Sequence, residues 1–221
     1  MFTRIAGRYD VMNALMTGGR DRAWRDATAR STLEAPAGPI LDLATGTADL
    51  AIAIGLVDAR RRVVGADFSE GMLTRARAKL EVRSASRVLL VAADALRLPF
   101  RDAVFAAVTS AFLLRNLEDL ERGLDEMRRV TMPGGRVVTL DITRLTVPGW
   151  STLFNVYFHR VVPLVGALVA GDRAAYTYLP RSVDRFVTPP ELAALMEKIG
   201  LRDVRCRRFG LGTVALHVGV V

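Results

Sequence analysis

The run ILDLA, residues 40–44, constrains this chain more than any other stretch. It is short and apolar, with the loop EAPAGP before it and Thr45-Gly46 after it. A strand that reads this way is buried on both faces, as in a parallel sheet. TADLAIAIGL then reads as a helix, RRVVGAD as a second strand, and SEGMLTRARAKLEV as an amphipathic helix opening at a Ser69 cap. RVLLVAAD is a third strand and AVFAAVTSAF a fourth. LEDLERGLDEMRRVT is a helix, MPGG a turn and RVVTLDI a fifth strand. This alternation predicts a doubly wound α/β sheet.

The end of the chain narrows the choice. TPPELAALMEKIG reads as a helix capped by Thr188, and LRDVRCRRFG and GTVALHVGVV as two closing strands. A strand pair after the last helix is not the usual dinucleotide-binding arrangement. It predicts a Rossmann-like, seven-stranded, mostly parallel sheet with helices on both faces, of the class I methyltransferase type. No repeat or linker divides the chain, so residues 1–221 read as one domain. Residues 1–35 form a helical cap on this reading, and 146–185 a helical insert.

Composition excludes several classes. Hydrophobic residues make up 51% of the 221, a globular balance. The single Cys206 excludes a disulfide framework, and no Cys/His spacing suggests a metal site, so no metal is expected. The reducing cytoplasm is the simplest compartment. MFTRIAGRYD lacks the apolar core of a signal peptide. WSTLFNVYFHRVVPLVGALVAG, residues 150–171, has the length of a membrane span, but His159, Arg160 and Pro163 interrupt it. It reads as a buried or interfacial helical segment. The net charge is +8 and is nearly all arginine, lysine occurring only at positions 79 and 198. Such a surface attracts anionic membranes or nucleic acid, or simply solvates the fold. The arginines form no long run or aromatic-interleaved stripe, which argues against a nucleic-acid partner.

Ligands of an open α/β sheet bind beyond the carboxyl ends of its strands. There DLATGTAD places Gly46, where backbone can approach a ligand closely. GADFS places Asp67, 21 residues after Gly46, where a carboxylate takes the hydroxyls of a ribose. AADALRLPF places Asp94 to reach an adenine amino group and the Ala95 amide to reach a ring nitrogen. The fourth strand ends in Arg115-Asn116. The fingerprint G-x-G-x-x-G is absent, since Thr47, Ala48, Asp49 and Leu50 follow Gly46. A pyrophosphate would lack its close helix N-terminus. The pattern favours S-adenosylmethionine, which carries no phosphate, over a dinucleotide.

With these motifs in place, the chain resembles the UbiE/MenG family of quinone-biosynthesis C-methyltransferases. RYDVMNALMTGGRDRAW resembles the family's amino-terminal signature; LDLATGTADLA, DFSEGML and DALRLPF resemble its cofactor motifs. AFLLRNLEDLERGLDEMRRVTMPGGRVVTLDI resembles its central block, and YFHRVVPLVGALVAGDRAAYTYLPRSVDRF its substrate-side insert. The resemblance implies methyl transfer from S-adenosylmethionine to a ring carbon of a polyprenylated quinol, with demethylmenaquinol first and the ubiquinone-pathway benzoquinol second. It places Gly46, Thr47, Asp67, Phe68, Met72, Asp94 and Ala95 at the cofactor, and Arg115 and Asn116 toward the acceptor. Tyr9 and Asp10 are expected to close over the site. A prenyl tail needs an apolar groove, for which the insert has the composition. A transient contact with the inner face of the cell membrane follows, and a homodimer is left open.

Other readings remain. One is a methyltransferase for a different small phenolic acceptor; another is a non-catalytic protein that keeps the fold for binding or assembly. An ion pair with a helix acid such as Asp119 is the structural alternative for Arg115. Four positions depart from the family pattern: Thr17 and Asp21 in the signature, Leu113 for a glycine beside the expected acceptor pocket, and Asp141 for a glutamate ending the fifth strand. Ala48 also stands where the family has glycine, at little cost if its φ is negative and about 1 kcal/mol if positive. His159, His217, Met127 and Met132 read as structural, and Tyr176 and Tyr178 as contacts of the acceptor or packing within the insert.

Overall fold

A computed structural model describes residues 17–85, 87–144 and 182–221. The expectations for Tyr9, Asp10, His159, Tyr176, Tyr178 and most of the helical insert fall outside those residues.

The chain order is α1 (Asp21–Arg30), β1 (Ile40–Leu43), α2 (Asp49–Val57), β2 (Val63–Asp67), α3 (Glu70–Val82), β3 (Val88–Ala92), β4 (Phe105–Ala111), α4 (Leu120–Val130), β5 (Thr131–Ile142), α5 (Pro189–Lys198), β6 (Arg202–Phe209) and β7 (Val214–Val220). The seven strands form one sheet in the order β3-β2-β1-β4-β5-β7-β6. The first five are parallel, and β7 inserts antiparallel between β5 and β6. This is the sheet the closing strand pair predicted.

Side-chain alternation sets the two faces. Val64, Leu41, Val108, Val137 and Gly219 share one row across the sheet. Its core includes Leu124, Met127, Leu192 and Met196 of α4 and α5. A Cβ at Gly219 would meet Leu201 and Met196 within 3.4 Å, so the absence of a side chain there lets α5 lie close. Ile40, Val63 and Ala107 face the other way and pack with Leu50, Ile54, Ala76 and Leu80 of α2 and α3. Trp24 of α1 packs with Val138, Leu140, Val214 and Leu216 on this second face.

Local signals end the helices where the sequence indicates. The Met72 amide donates to the Ser69 hydroxyl at the start of α3. The Glu191 carboxylate accepts the Thr188 amide at 2.7 Å and its hydroxyl at 2.8 Å, closing the first turn of α5. The MPGG segment is not a separate turn. Pairing with β4 jumps from Phe105↔Thr131 to Ala107↔Arg136, so residues 132–135 bulge out of one long strand. Gly134 takes the positive φ of +74° that this excursion needs. Among the described residues, no helix is long and apolar enough to cross a membrane.

Candidate active site

Strand order reverses at β1, whose neighbours are β2 and β4. The crevice beyond its carboxyl end is therefore where an open sheet takes a ligand. The loop there is unusual. Ala44, Gly46 and Ala48 have φ of +55°, +57° and +68°, so alternate residues take the left-handed conformation. Non-glycine residues rarely do so, and such strain collects at functional sites. Gly46 faces open space, with no atom within 4 Å of where a Cβ would stand.

A buried acid holds this loop from below. Asp42 of β1 is 1% exposed. Its carboxylate accepts the Thr45 hydroxyl at 2.6 Å and the Thr109 hydroxyl at 3.1 Å. Burial pushes its carboxyl up to about 7, against the opposing pull of these hydrogen bonds. A Cβ at Gly65 would come within 2.9 Å of the Thr45 hydroxyl, so that glycine makes the room for Thr45. The sequence reading missed Asp42. The signal was present as a lone acid in an apolar run.

Asp67 ties the loops together. One carboxylate oxygen accepts the Gly46 amide at 2.8 Å, and the other accepts the Ser69 amide at 2.8 Å. Its main-chain carbonyl accepts the Ala93 amide at 3.1 Å. Desolvation raises the Asp67 carboxyl above its usual range, and the two amides only partly offset it. Phe68 projects beside it, 81% exposed, whereas Met72 is buried in the first turn of α3. Asp94 is exposed and accepts the Leu96 amide at 2.9 Å, while Ala95 is half-buried against the core. The Thr47 hydroxyl accepts from Lys79 at 2.9 Å, and Lys79 also pairs with Asp49 at 2.8 Å. Six of the seven expected cofactor residues thus lie in the loops joined through Asp67, Thr47 with its hydroxyl turned to Lys79 of α3, while Met72 is buried in the first turn of that helix.

Beyond β4 the chain turns sharply. Phe112 sits at φ +65°, and a 3-10 turn follows at Leu114–Asn116. Arg115 reaches β5, pairing with Asp141 at 2.5 Å, with both side chains under 10% exposed. The partner is a strand-end acid. Asp119 instead accepts the Arg122 amide and caps α4. The departure at Asp141 therefore still meets Arg115, with a shorter arm than glutamate. The Asn116 amide donates to the Phe112 carbonyl at 3.0 Å. The Nε of Arg115 and the Oδ1 of Asn116 are buried without a hydrogen-bond partner among the described residues. A groove of about 570 Å³ runs along Arg115, Asn116 and Leu117 toward Phe186 and Val187. Leu113 packs against the core at an ordinary φ of −93°, so the bulkier residue is taken up without strain.

Two further departures meet each other. The Thr17 hydroxyl donates to Asp21 at 2.9 Å, and Asp21 pairs with Arg25, both of them buried. The Arg25 guanidinium stands 5.8 Å from the Phe112 ring centre, and that of Arg115 5.7 Å from it. His217 is buried on β7, one ring nitrogen on the Pro189 carbonyl at 3.0 Å. Met127 is fully buried.

The model of the ubiE/COQ5 methyltransferase family matches residues 1–221. A demethylmenaquinone methyltransferase of Thermus thermophilus is 44% identical, over 99% of this chain and 99% of its own length. A protein of Desulfotalea psychrophila named ubiquinone/menaquinone biosynthesis C-methyltransferase is 41% identical, over 100% of this chain and 88% of its own length. Among solved structures, a SAM-dependent methyltransferase from Aquifex aeolicus shares the fold, with a TM-score of 0.65 and 16% identity over 89% of each chain.

Proposed function

This chain belongs to the ubiE/COQ5 methyltransferase family, and from that premise we propose that it methylates a ring carbon of a polyprenylated quinol, demethylmenaquinol to menaquinol, using S-adenosylmethionine. The observation that carries the reading is the family match over the whole chain, which includes both the crevice at Gly46 and the Arg115 turn. Relatives above 40% identity carry names of this reaction.

The residues present suit the cofactor. Open space above Gly46 admits a ligand against the backbone. Each Asp67 oxygen holds one amide and keeps a lone pair for a ribose hydroxyl. Exposed Phe68 offers a face to an adenine ring, and Asp94 and the Ala95 amide lie on the next loop to hold its edge. When bound, S-adenosylmethionine supplies an electrophilic sulfonium methyl. The loops fix the depth and direction of that group by being tied to one another beforehand.

Arg115 and Asn116 act on the acceptor. A quinol hydroxyl both donates and accepts, and the buried Arg115 Nε–H and Asn116 Oδ1 offer one donor and one acceptor. Asp141 holds the guanidinium in place and offsets its charge, so Arg115 orients the ring oxygen. The groove beside the turn has apolar walls at Leu114, Leu117, Phe186 and Val187, suited to the start of a prenyl tail. A substrate of this kind resides in a membrane, so the protein works at the membrane surface. The unstrained packing of Leu113 gives no support to a changed acceptor.

The test joins two measurements. The purified chain should convert short-chain demethylmenaquinol to its methylated product, and deletion of the gene should leave demethylmenaquinone as the accumulated quinone by mass spectrometry. An unchanged quinone profile would sink the assignment.

A further inference from the structure

We propose that the edge strand β6 and its turn into β7 dock on an anionic lipid surface. This rests on the reading that the acceptor is membrane-borne.

Charge and position carry the inference together. β6 is the last strand of the sheet, so one side of its backbone has no neighbouring strand among the described residues. It holds four arginines, at 202, 205, 207 and 208, against one aspartate, Asp203. Arg205, Arg207 and Arg208 are exposed, and no carboxylate pairs with them among the described residues. Several other arginines have acid partners, as Arg61 has Asp58 and Arg129 has Glu126. A charged edge also discourages pairing with another sheet, but that purpose is served by either sign or a mixture. The excess of positive charge here fits an anionic partner.

The turn supplies an apolar element. Leu211 is 70% exposed at φ +58°, a conformation in which glycine would sit without strain. The neighbouring Arg207 guanidinium lies 4.9 Å from the Phe209 ring centre, so a cation and an aromatic ring share this corner. A leucine tip among arginines matches the boundary between headgroups and acyl chains.

Strand direction places this corner correctly. β7 is antiparallel to both β5 and β6, so β6 ends at the same end of the sheet as β5. The Thr143 amide donates to the Thr213 carbonyl at 2.9 Å, joining the turn region to the end of β5, two residues beyond Asp141. Docking by this corner brings the Arg115–Asp141 end of the sheet toward the bilayer.

Sedimentation of the full chain with vesicles tests the proposal. Phosphatidylglycerol vesicles should bind it, phosphatidylcholine vesicles should not, and added salt should weaken binding. Arg205→Glu, Arg207→Glu and Arg208→Glu together should lower binding on the order of a hundredfold, with S-adenosylmethionine affinity unchanged as a check of folding. The milder glutamine triple should fall in between, and Leu211→Ser should lose binding severalfold. A folded triple variant that binds phosphatidylglycerol like the parent overturns the proposal. So does a parent chain that ignores both vesicles or is held only by RNA. Turnover of a short-chain quinol in free solution separates the two readings. Binding without turnover sinks the acceptor assignment alone, and turnover without binding sinks the docking surface alone.

Discussion

The Asp67 carboxylate accepts the Gly46 amide at 2.8 Å, joining two loops that lie 21 residues apart in sequence. Replacing Asp67 with alanine removes this bond, the Ser69 bond and the proposed ribose contacts. Each bond to a charged group is worth about 1.5–3 kcal/mol. Calorimetry should show S-adenosylmethionine affinity falling at least about a hundredfold. Asp67→Asn should fall between. Near-parental affinity in the alanine variant would remove Asp67 from the cofactor.

Arg115→Ala leaves Asp141 buried without its cation. Losing one partner of a buried pair costs about 3–5 kcal/mol. Urea denaturation should show a loss of that order. Asp141→Ala added to Arg115→Ala should recover much of the stability and none of the turnover, with cofactor affinity changing less than about threefold in the double variant. Recovery of turnover would make the pair structural only.

Ala48 adopts φ +68° yet is fully buried. Changing it to glycine relieves about 1–2 kcal/mol of left-handed strain. It also removes a buried methyl worth about 0.8 kcal/mol and adds about 0.5–1 kcal/mol of unfolded-chain entropy. The terms nearly cancel, so Ala48→Gly should shift stability by less than about 1 kcal/mol. The alanine is therefore tolerated because its methyl packs in the core. A change beyond about 2 kcal/mol in a urea melt would show that one of these terms is misjudged.

Asp42 gives a pH signature. Its carboxyl is raised from 3.8 to about 7, so the folded chain holds that proton more tightly than the unfolded one. The stability it contributes is fully present below about pH 4 and is lost as pH rises to about 7, for a total of about 4 kcal/mol at most. Burial lowers His217, which acts oppositely and destabilises the fold as pH falls through 6.5. Comparing the parent with Asp42→Asn cancels the histidine. The variant should be the more stable at pH 8 by a few kcal/mol, with the gap closing toward pH 4. A gap independent of pH would refute the buried-acid assignment.

The sheet was legible because apolar runs and turn residues are local signals. ILDLA, RRVVGAD and AVFAAVTSAF each declare a strand without reference to anything distant. The loop residues Gly46 and Asp67 were legible too, since a strand end fixes where they emerge. The partner of Arg115 was not. Finding Asp141 requires knowing that β4 and β5 are adjacent, with Ala111 opposite Leu140, which only the assembled sheet supplies. The contact between Thr17 and Asp21 is four residues long. It was readable in principle once helical spacing was assumed, as was the pairing of Asp21 with Arg25. MPGG was read as a boundary because glycine and proline usually punctuate. The strand resumes beyond it with its pairing to β4 shifted, a non-local fact.

Phe112 follows the last residue of β4 and packs against the Trp24 cluster. Its ring is approached by Arg25, carried by α1, and by Arg115, anchored to β5 by Asp141. Both guanidinium groups stand within cation–π reach of that one ring. One aromatic side chain is therefore shared by α1 and the turn that carries Arg115. A substitution at Phe112 would thus be felt at two separate elements of the fold at once.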